Sequence, residues 1–432
     1  MPKLFFILWI FSLGLRAAPI QITFWHSMTG EKGKLLGELT EEFNKSKENL
    51  DRFKVVPQFV GTYEEGLNKL RTSLLAKQGP NVAQITDIGT QLMIDTKAVV
   101  PLQDLIDQDP DFPIEKLLAT IKRYYQVDGK LFSLPFATSN PILYYNMDAF
   151  KRVGLLRPPR TFLELKDFSR KLTDKNKKTT GITWPLSSWF FEEFIARQGA
   201  LLVDRENGRL GRATEALYLT PEAIRFVTLW QDMAKEGTFA NVGRGWDPPE
   251  ANFLSGRSAM MFHSTSDVFE VVRKAHFKVG TAPIPLADEK NVGGTVVGGN
   301  SLWILKDKTP EEIKGSFLFV KYMASSGVQK RWHMGTGYFP IREDLIQELE
   351  KEGFYEKFPA AKTAILQLKA SALSTATQGA LMGVFAEARD QIESAIERVL
   401  AGRMSVEEAL KKAKFQTDDS LRRYNRFLEK LK

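Results

Sequence analysis

Between residues 20 and 86 the chain switches repeatedly between two periodicities, and this alternation constrains its fold more than any other feature. Ile20-Gln21-Ile22-Thr23-Phe24-Trp25 alternates apolar and polar residues as a strand does, whereas residues 31–43 repeat apolar side chains at helical spacing. Residues 53–59 read as a second strand, residues 63–76 as a second helix, and residues 81–86, after the Gly79-Pro80 break, as a short third strand. A strand–helix–strand–helix–strand order requires right-handed parallel crossovers, and therefore an α/β sheet. In open α/β sheets ligands sit at the carboxyl ends of the strands. Those ends carry Trp25-His26-Ser27, Gly61-Thr62-Tyr63 and Asp87-Ile88-Gly89, so an aromatic, a hydroxyl and a carboxylate share one edge.

A second region begins near Gly129. Residues 131–136 and 142–146 read as strands flanking an Ala137-Thr138-Ser139-Asn140 loop, and residues 258–262, 277–283 and 301–305 read as further strands. Helix starts are marked by a capping box at Thr161-Phe162-Leu163-Glu164, by Thr220-Pro221, and by Thr309-Pro310-Glu311-Glu312. From Arg342 onward the pattern is helical. No fixed-period repeat or low-complexity linker divides the chain. Strand-bearing segments separated by long helical insertions imply two interleaved lobes with several chain crossings. A chain of 432 residues with 43% hydrophobic content can fill two cores of that kind.

The N-terminus has a different character. Lys3, an apolar run over residues 4–15 and Arg16-Ala17-Ala18-Pro19 describe a secretory signal peptide of residues 1–17, cleaved after Ala17. The run is shorter than the roughly 20 residues a membrane span needs. The absence of Cys excludes disulfides, thiolate metal sites, a Cys nucleophile and a lipid-modified N-terminal Cys. Four scattered His argue against a metal centre, and 60 basic against 52 acidic residues, with no dense basic block, argue against a nucleic-acid partner. No nucleotide-type phosphate loop, HExxH or GxSxG motif is present. The adjacent acids Glu64-Glu65 and Glu192-Glu193 read as solvated helix faces.

Three local features each admit two interpretations. Trp184 and Trp189, in a Trp-Pro-Leu-Ser-Ser-Trp turn, can floor a ligand pocket or pack a loop onto its helix. Gly298-Gly299, within residues 297–301, can present backbone N–H groups to an anion or make a tight turn. Arg389, on a helix with small and apolar neighbours, can snorkel to the surface or act as a planar clamp for phosphate or carboxylate.

Several segments carry a resemblance: Phe24-Trp25-His26-Ser27-Met28, Gly61-Thr62-Tyr63-Glu64, PFATSNPILYYN at 135–146, Gly298-Gly299-Asn300-Ser301-Leu302-Trp303, TGYFPI at 336–341 and GFYEK at 353–357. On these the chain resembles the extracytoplasmic solute-binding proteins of ATP-driven importers, over essentially its whole mature length, and within them the glycerol-3-phosphate-binding branch. The resemblance implies an α/β, two-lobed (type II) periplasmic binding protein fold, each lobe a sheet flanked by helices. The N-terminal lobe would comprise residues 18–133 and 284–337, and the C-terminal lobe residues 134–283 and 338–432. It implies a ligand set of Tyr63, Asp87, Ser139, Ser264, Gly299, Tyr338 and Arg389, with Trp184 and Trp189 as stacking residues. Asp87 stands where a relative carries Glu, and the spacing of the two tryptophans also differs from that relative's pair. Arg389, Ser264, Tyr338 and the Gly299 N–H would hold phosphate, while Asp87, Tyr63 and Ser139 would meet glycerol hydroxyls.

The implied role is that of a receptor rather than an enzyme, without cofactor or metal. It would capture glycerol-3-phosphate or a glycerophosphodiester such as glycerophosphocholine by cleft closure. Its partners would be two transmembrane permease subunits and two ATP-binding subunits, its location the periplasm, and its free state a monomer. A sugar-binding member with Trp184 and Trp189 stacked on pyranose faces is the alternative within transport. A secreted hydrolase using paired carboxylates is the alternative outside it.

Overall fold

The computed structural model describes residues 18–50, 52–290 and 293–430. The expected signal peptide of residues 1–17 lies outside them. The alternating start folds as its periodicity requires. Strands β1 (Ile20–His26), β2 (Phe53–Phe59) and β3 (Val82–Thr86) run parallel, linked by the helices Gly30–Asn44 and Tyr63–Leu75. The second helix begins at a complete capping box, in which the Thr62 hydroxyl accepts from the Glu65 N–H and the Glu65 carboxylate from the Thr62 N–H. Then follow β4 (Val99–Val100), the hairpin β5 (Gln126–Val127) and β6 (Lys130–Leu131), β7 (Leu134–Ser139), β8 (Pro141–Asn146), β9 (Thr180–Thr183), β10 (Phe239–Ala240), β11 (Ser258–Ser264), β12 (Val279–Pro283) and β13 (Gly298–Leu305).

These strands build two main sheets. The first has the order β2-β1-β3-β13-β4, with β7 also paired to β13; the second has the order β10-β9-β11-β8-β12. Each is flanked by helices, which makes an α/β molecule of two lobes. β13 runs antiparallel to both β3 and β7, so a late segment of the chain returns to close the first sheet. One apolar core gathers Ile22, Phe24, Val82 and Leu302 around the first sheet and continues through Ile142, Tyr144 and Met261 of the second. A second core holds Trp184, Phe194, Phe226, Trp230 and Phe262, and a smaller third one gathers Leu70, Ile85, Met93 and Trp303 on the first sheet.

Three expectations are corrected here. The lobe boundary was placed at 133/134, yet Leu134–Ser139 pairs with β13 in the first sheet, so the chain leaves that sheet at Asn140. Ala137, Thr138 and Ser139, expected in a loop, are strand residues, and so are Gly298, Gly299 and Asn300. Their small and polar side chains hide the strand pattern, and a register shift between Asn300 and Ser301 interrupts the alternation. Asn140 is the crossing itself. It is fully buried, takes a hydrogen bond from the Thr265 N–H onto its carbonyl (3.0 Å), and donates its own N–H to the Thr265 hydroxyl (3.2 Å).

Candidate functional site

Strand ends bring the predicted residues to one edge. Thr86 closes β3 opposite Asn300, and Ser139 closes β7 opposite Gly298, so Asp87 emerges beside the crossing between the sheets. A polar chain runs along this edge. The Gln84 amide donates to Asn300 Oδ1 (2.9 Å), and Asn300 Nδ2 donates to the Tyr63 hydroxyl (2.9 Å), which lies 3.5 Å from that of Tyr338. The Tyr338 ring stacks on Trp332, centroids 5.8 Å apart and planes 10° off parallel. Burial pushes the Tyr63 phenol up and that of Tyr338 up to about 12, so both remain neutral hydroxyls at physiological pH.

The far wall of this group comes from the turn after β11. Ser264 Oγ accepts from the Ser266 N–H at 3.1 Å, the local bond that starts the turn. Lys32, from the first helix, reaches Asp267 at 2.5 Å and sits 5.5 Å from the centre of the Tyr338 ring. His263 Nδ1 lies 3.1 Å from the other Asp267 oxygen. Burial opposes the His263 charge, but Asp267 and Glu250 outweigh it and raise its pKa above the ordinary value.

A second group surrounds Arg389, on the helix Phe385–Leu400. Its Nε and Nη2 donate to the two Glu192 oxygens, both at 2.8 Å, and Nη2 stands 3.6 Å from Asp87 Oδ2. Asp87 also accepts from the Thr86 hydroxyl (2.9 Å) and the Tyr124 hydroxyl (3.2 Å). Burial alone would favour losing the arginine's proton; Glu192 first and Asp87 second reverse this and hold the guanidinium charged. Tyr125 joins the groups: it is fully buried, feels Asp87, Tyr63 and Tyr338 electrostatically, and its hydroxyl has no hydrogen-bond partner among the described residues. Tyr63, Asp87, Ser264, Tyr338 and Arg389 therefore belong to two connected polar groups, and Arg389 is a paired interior cation rather than a snorkelling one.

The tryptophans separate. Trp184 is 1% exposed and packed against Trp230, Phe239 and Phe262, at centroid distances of 5.0, 4.3 and 5.2 Å. It is core, which corrects its reading as a stacking residue. Trp189 reaches the edge, because a Cβ added to Gly298 would meet its indole at 2.9 Å. Its neighbour there is Trp246, 5.6 Å away and 36% exposed. Gly299 has φ +108°, and an added Cβ would lie 2.0 Å from the Ala137 carbonyl oxygen, so Gly299 serves close approach of two strands while Gly298 makes room for Trp189.

The Glu192-Glu193 pair is also corrected. Neither is a solvated face: Glu192 holds Arg389, and Glu193 is fully buried with one oxygen accepting from the Val296 N–H at 2.9 Å. The signal was present in the sequence, since their helix, Ser188–Arg197, carries Phe190, Phe191, Phe194 and Ile195 on one face and Trp189 and Ala196 on the opposite one, and all are buried. A helix apolar all round is an interior helix, and its acids are interior acids. Lys32, Asp267 and Trp246 were missed because each joins the candidate site through tertiary contact and none stands in a motif; Asn300 stands in the Gly298–Trp303 segment, but its bond to Tyr63 spans 237 positions.

Residues 38–363 match the family described as bacterial extracellular solute-binding protein. The chain belongs to that family. A relative of this solute-binding protein, the sn-glycerol-3-phosphate-binding periplasmic protein UgpB of Pectobacterium atrosepticum, is 32% identical over 423 residues, covering 96% of this chain and 94% of its own. The protein of the same name from Escherichia coli K12 is 32% identical over 422 residues, covering 96% and 95%. Among solved structures, UgpB from Mycobacterium tuberculosis in complex with glycerophosphocholine superposes with a TM-score of 0.79 at 20% identity, covering 94% of this chain and 99% of that one. An ABC substrate-binding protein from Listeria monocytogenes in complex with cycloalternan does so with a TM-score of 0.78 at 20% identity, covering 94% and 99%. Both structures share the two-lobed fold of this solute-binding protein. These relatives are named for binding, not for catalysis. Among the described residues no helix is long and apolar enough to cross a membrane, and no group of three or more His, Asp or Glu is placed to hold a metal ion.

Proposed function

We propose that this solute-binding protein is the periplasmic receptor of an ABC importer for glycerol-3-phosphate and glycerophosphodiesters. The observation that carries the proposal is Arg389, a permanently charged fork whose side chain is 19% exposed, held beside Asp87 and Glu192 by elements of both lobes. Glu192 occupies its Nε–Nη2 edge, which leaves Nη1 for a phosphate oxygen. Charge-assisted bonds of this type are about twice as strong as neutral ones. Ser264, Tyr338 and the Gly299 N–H would complete the phosphate site, and Asp87, Tyr63 and Ser139 would meet the glycerol hydroxyls. The glycerol-3-phosphate-binding relatives, which match 96% of the chain, support the same ligand class.

Residues from both lobes surround these groups, so capture couples to closure of the cleft, a change a permease can read. The docking partners would be two permease subunits and two ATP-binding subunits, met by a monomer exported through cleavage of residues 1–17. No bond-making step is required of any residue. Thermal-shift measurement on the mature protein with glycerol-3-phosphate, glycerophosphocholine and maltose tests the reading. A phosphate ester present at about 100 times its Kd should stabilise the protein by about 2.7 kcal/mol. Stabilisation by maltose alone would replace it with the sugar-binding alternative.

A further inference from the structure

Arg209 is a cation without an anion. Among the described residues it forms no ion pair, and its whole fork is committed to main-chain carbonyls. Nη1 donates to Tyr124 O (3.1 Å) and Gln126 O (3.0 Å), Nη2 to Gln378 O (2.5 Å) and Nε to Gly379 O (3.0 Å). The turn that delivers it is strained. Arg205, Glu206 and Asn207 have φ of 52°, 53° and 57°, so three successive residues with side chains lie in the left-handed region. The Asn207 side chain secures the turn, accepting from the Leu202 and Val203 N–H groups (2.7 and 3.2 Å) and donating to Thr375 O (3.2 Å). Strain of this kind persists only where the surroundings over-determine it, and it gathers where functional groups are fixed in place.

What the fork fixes is the end of the helix Ala119–Tyr125. The last carbonyls of a helix lack partners within it, and a basic side chain there is favourable. Arg209 takes the carbonyl of Tyr124, and the Gln378 amide takes that of Arg123 (2.8 Å). The Tyr124 ring is held as well. Its centre is 5.7 Å from the Arg209 guanidinium carbon, and a Cβ added to Gly379 would meet the ring at 2.6 Å. Its hydroxyl donates to Asp87 Oδ2 (3.2 Å), and burial first and Asp87 second push this phenol's pKa up, so it remains a donor. Asp87 Oδ2 stands 3.6 Å from Arg389 Nη2, so these opposite charges face each other without a hydrogen bond. If free to move they would close that gap, because charge-assisted bonds are strong, and each would then be committed to the other instead of to a ligand. We propose that Arg209 is a positioning residue for ligand binding: acting through the Tyr124 hydroxyl, it keeps Asp87 off Arg389 and leaves both available. The inference rests on the reading that Asp87 and Arg389 meet a phosphate ester.

A double-mutant cycle tests this, read by calorimetry with whichever of glycerol-3-phosphate and glycerophosphocholine the mature wild type binds more tightly. The variants are Tyr124→Phe, Arg209→Gln, Arg209→Lys, and each Arg209 change combined with Tyr124→Phe. Tyr124→Phe and Arg209→Gln should each weaken binding at least tenfold. Arg209→Lys keeps the charge but cannot serve four carbonyls as a planar fork does, and should weaken it at least threefold. Added to Tyr124→Phe, either Arg209 change should cost less than a further twofold, because the hydroxyl through which it acts is already gone. A residue that only secures the fold gives losses that multiply. Thermal melts establish which variants are folded, and the lysine cycle decides if the glutamine variants are not. Losses that multiply, or an affinity unchanged in Tyr124→Phe or in the folded Arg209 variants, overturn the positioning role and leave the receptor reading intact. Failure of wild type to bind either phosphate ester overturns both.

Discussion

A carboxyl group removed from water must be compensated or neutral, and Glu193 has a single N–H to compensate it. Burial is the largest influence on its pKa; the Val296 N–H opposes the rise, Glu192 and Asp87 add to it, and Arg389 offsets part. The net direction is strongly upward. A group whose pKa is raised on folding contributes stability below its unfolded pKa and loses that contribution as pH rises through the folded value. Glu193→Gln, which keeps the shape without the proton, should therefore match wild type near pH 4 and exceed it increasingly as pH rises. Melting curves from pH 4 to 9 check this, and parallel curves would mean that Glu193 gains compensation on deprotonation. Arg389 is the reverse case, a charge with two acceptors. Arg389→Ala leaves Glu192 and Asp87 without it and should weaken phosphate-ester binding by about 2–5 kcal/mol. Arg389→Lys keeps the charge but not the fork, and should recover only part of that loss in calorimetry.

Among the elements, the paired strands β7 and β13 do the most to position the candidate site, since they carry Ser139, Gly299 and Asn300 and mark the crossing at Asn140. Their packing depends on Gly299. With φ +108° and no room for a Cβ against the Ala137 carbonyl, Gly299→Ala should cost more than about 1 kcal/mol and lower the melting temperature. A variant with unchanged melting would show that the strands can separate locally without penalty. This element also marks the limit of what the sequence reveals. Residues 20–59 were legible because their side chains alternate between water and core, β3, buried throughout, because it follows the Gly79-Pro80 break, and β1 to β3 follow the expected bounds closely. Residues 137–139 and 298–300 were not, because both strands are buried throughout or nearly so and use Ser, Thr, Gly and Asn, which resemble turn residues. Tyr63 and Asp87 were reachable from strand order alone. The Glu192 partnership was not, because a pairing across 197 positions leaves no trace in local spacing.

At the scale of the molecule, the lobes are fastened across the cleft by charge as well as by apolar contact. Lys32 from the first lobe meets Asp267 of the second on one side. On another, Asp95, with its side chain 3% exposed, receives both Arg212 nitrogens (2.8 and 2.6 Å) and the Tyr424 hydroxyl (2.9 Å). Such bonds exist only when the lobes are together, so they favour closure before ligand adds its own contacts, and a ligand's apparent affinity depends on that bias. Removing one partner of a fully buried pair costs about 3–5 kcal/mol; Arg212 is 39% exposed and Asp95 keeps the Tyr424 hydroxyl, so losing Arg212 costs less than that. In Arg212→Ala that penalty falls on Asp95 only while the cleft is shut, since opening returns the carboxylate to water. The variant should therefore open in the absence of ligand, with a larger radius of gyration by small-angle scattering. A saturating phosphate ester should return it to the wild-type value, at a weaker Kd. Wild-type dimensions together with wild-type affinity would show that Asp95 and Arg212 secure neighbouring segments within a closed form maintained by the other contacts between the lobes.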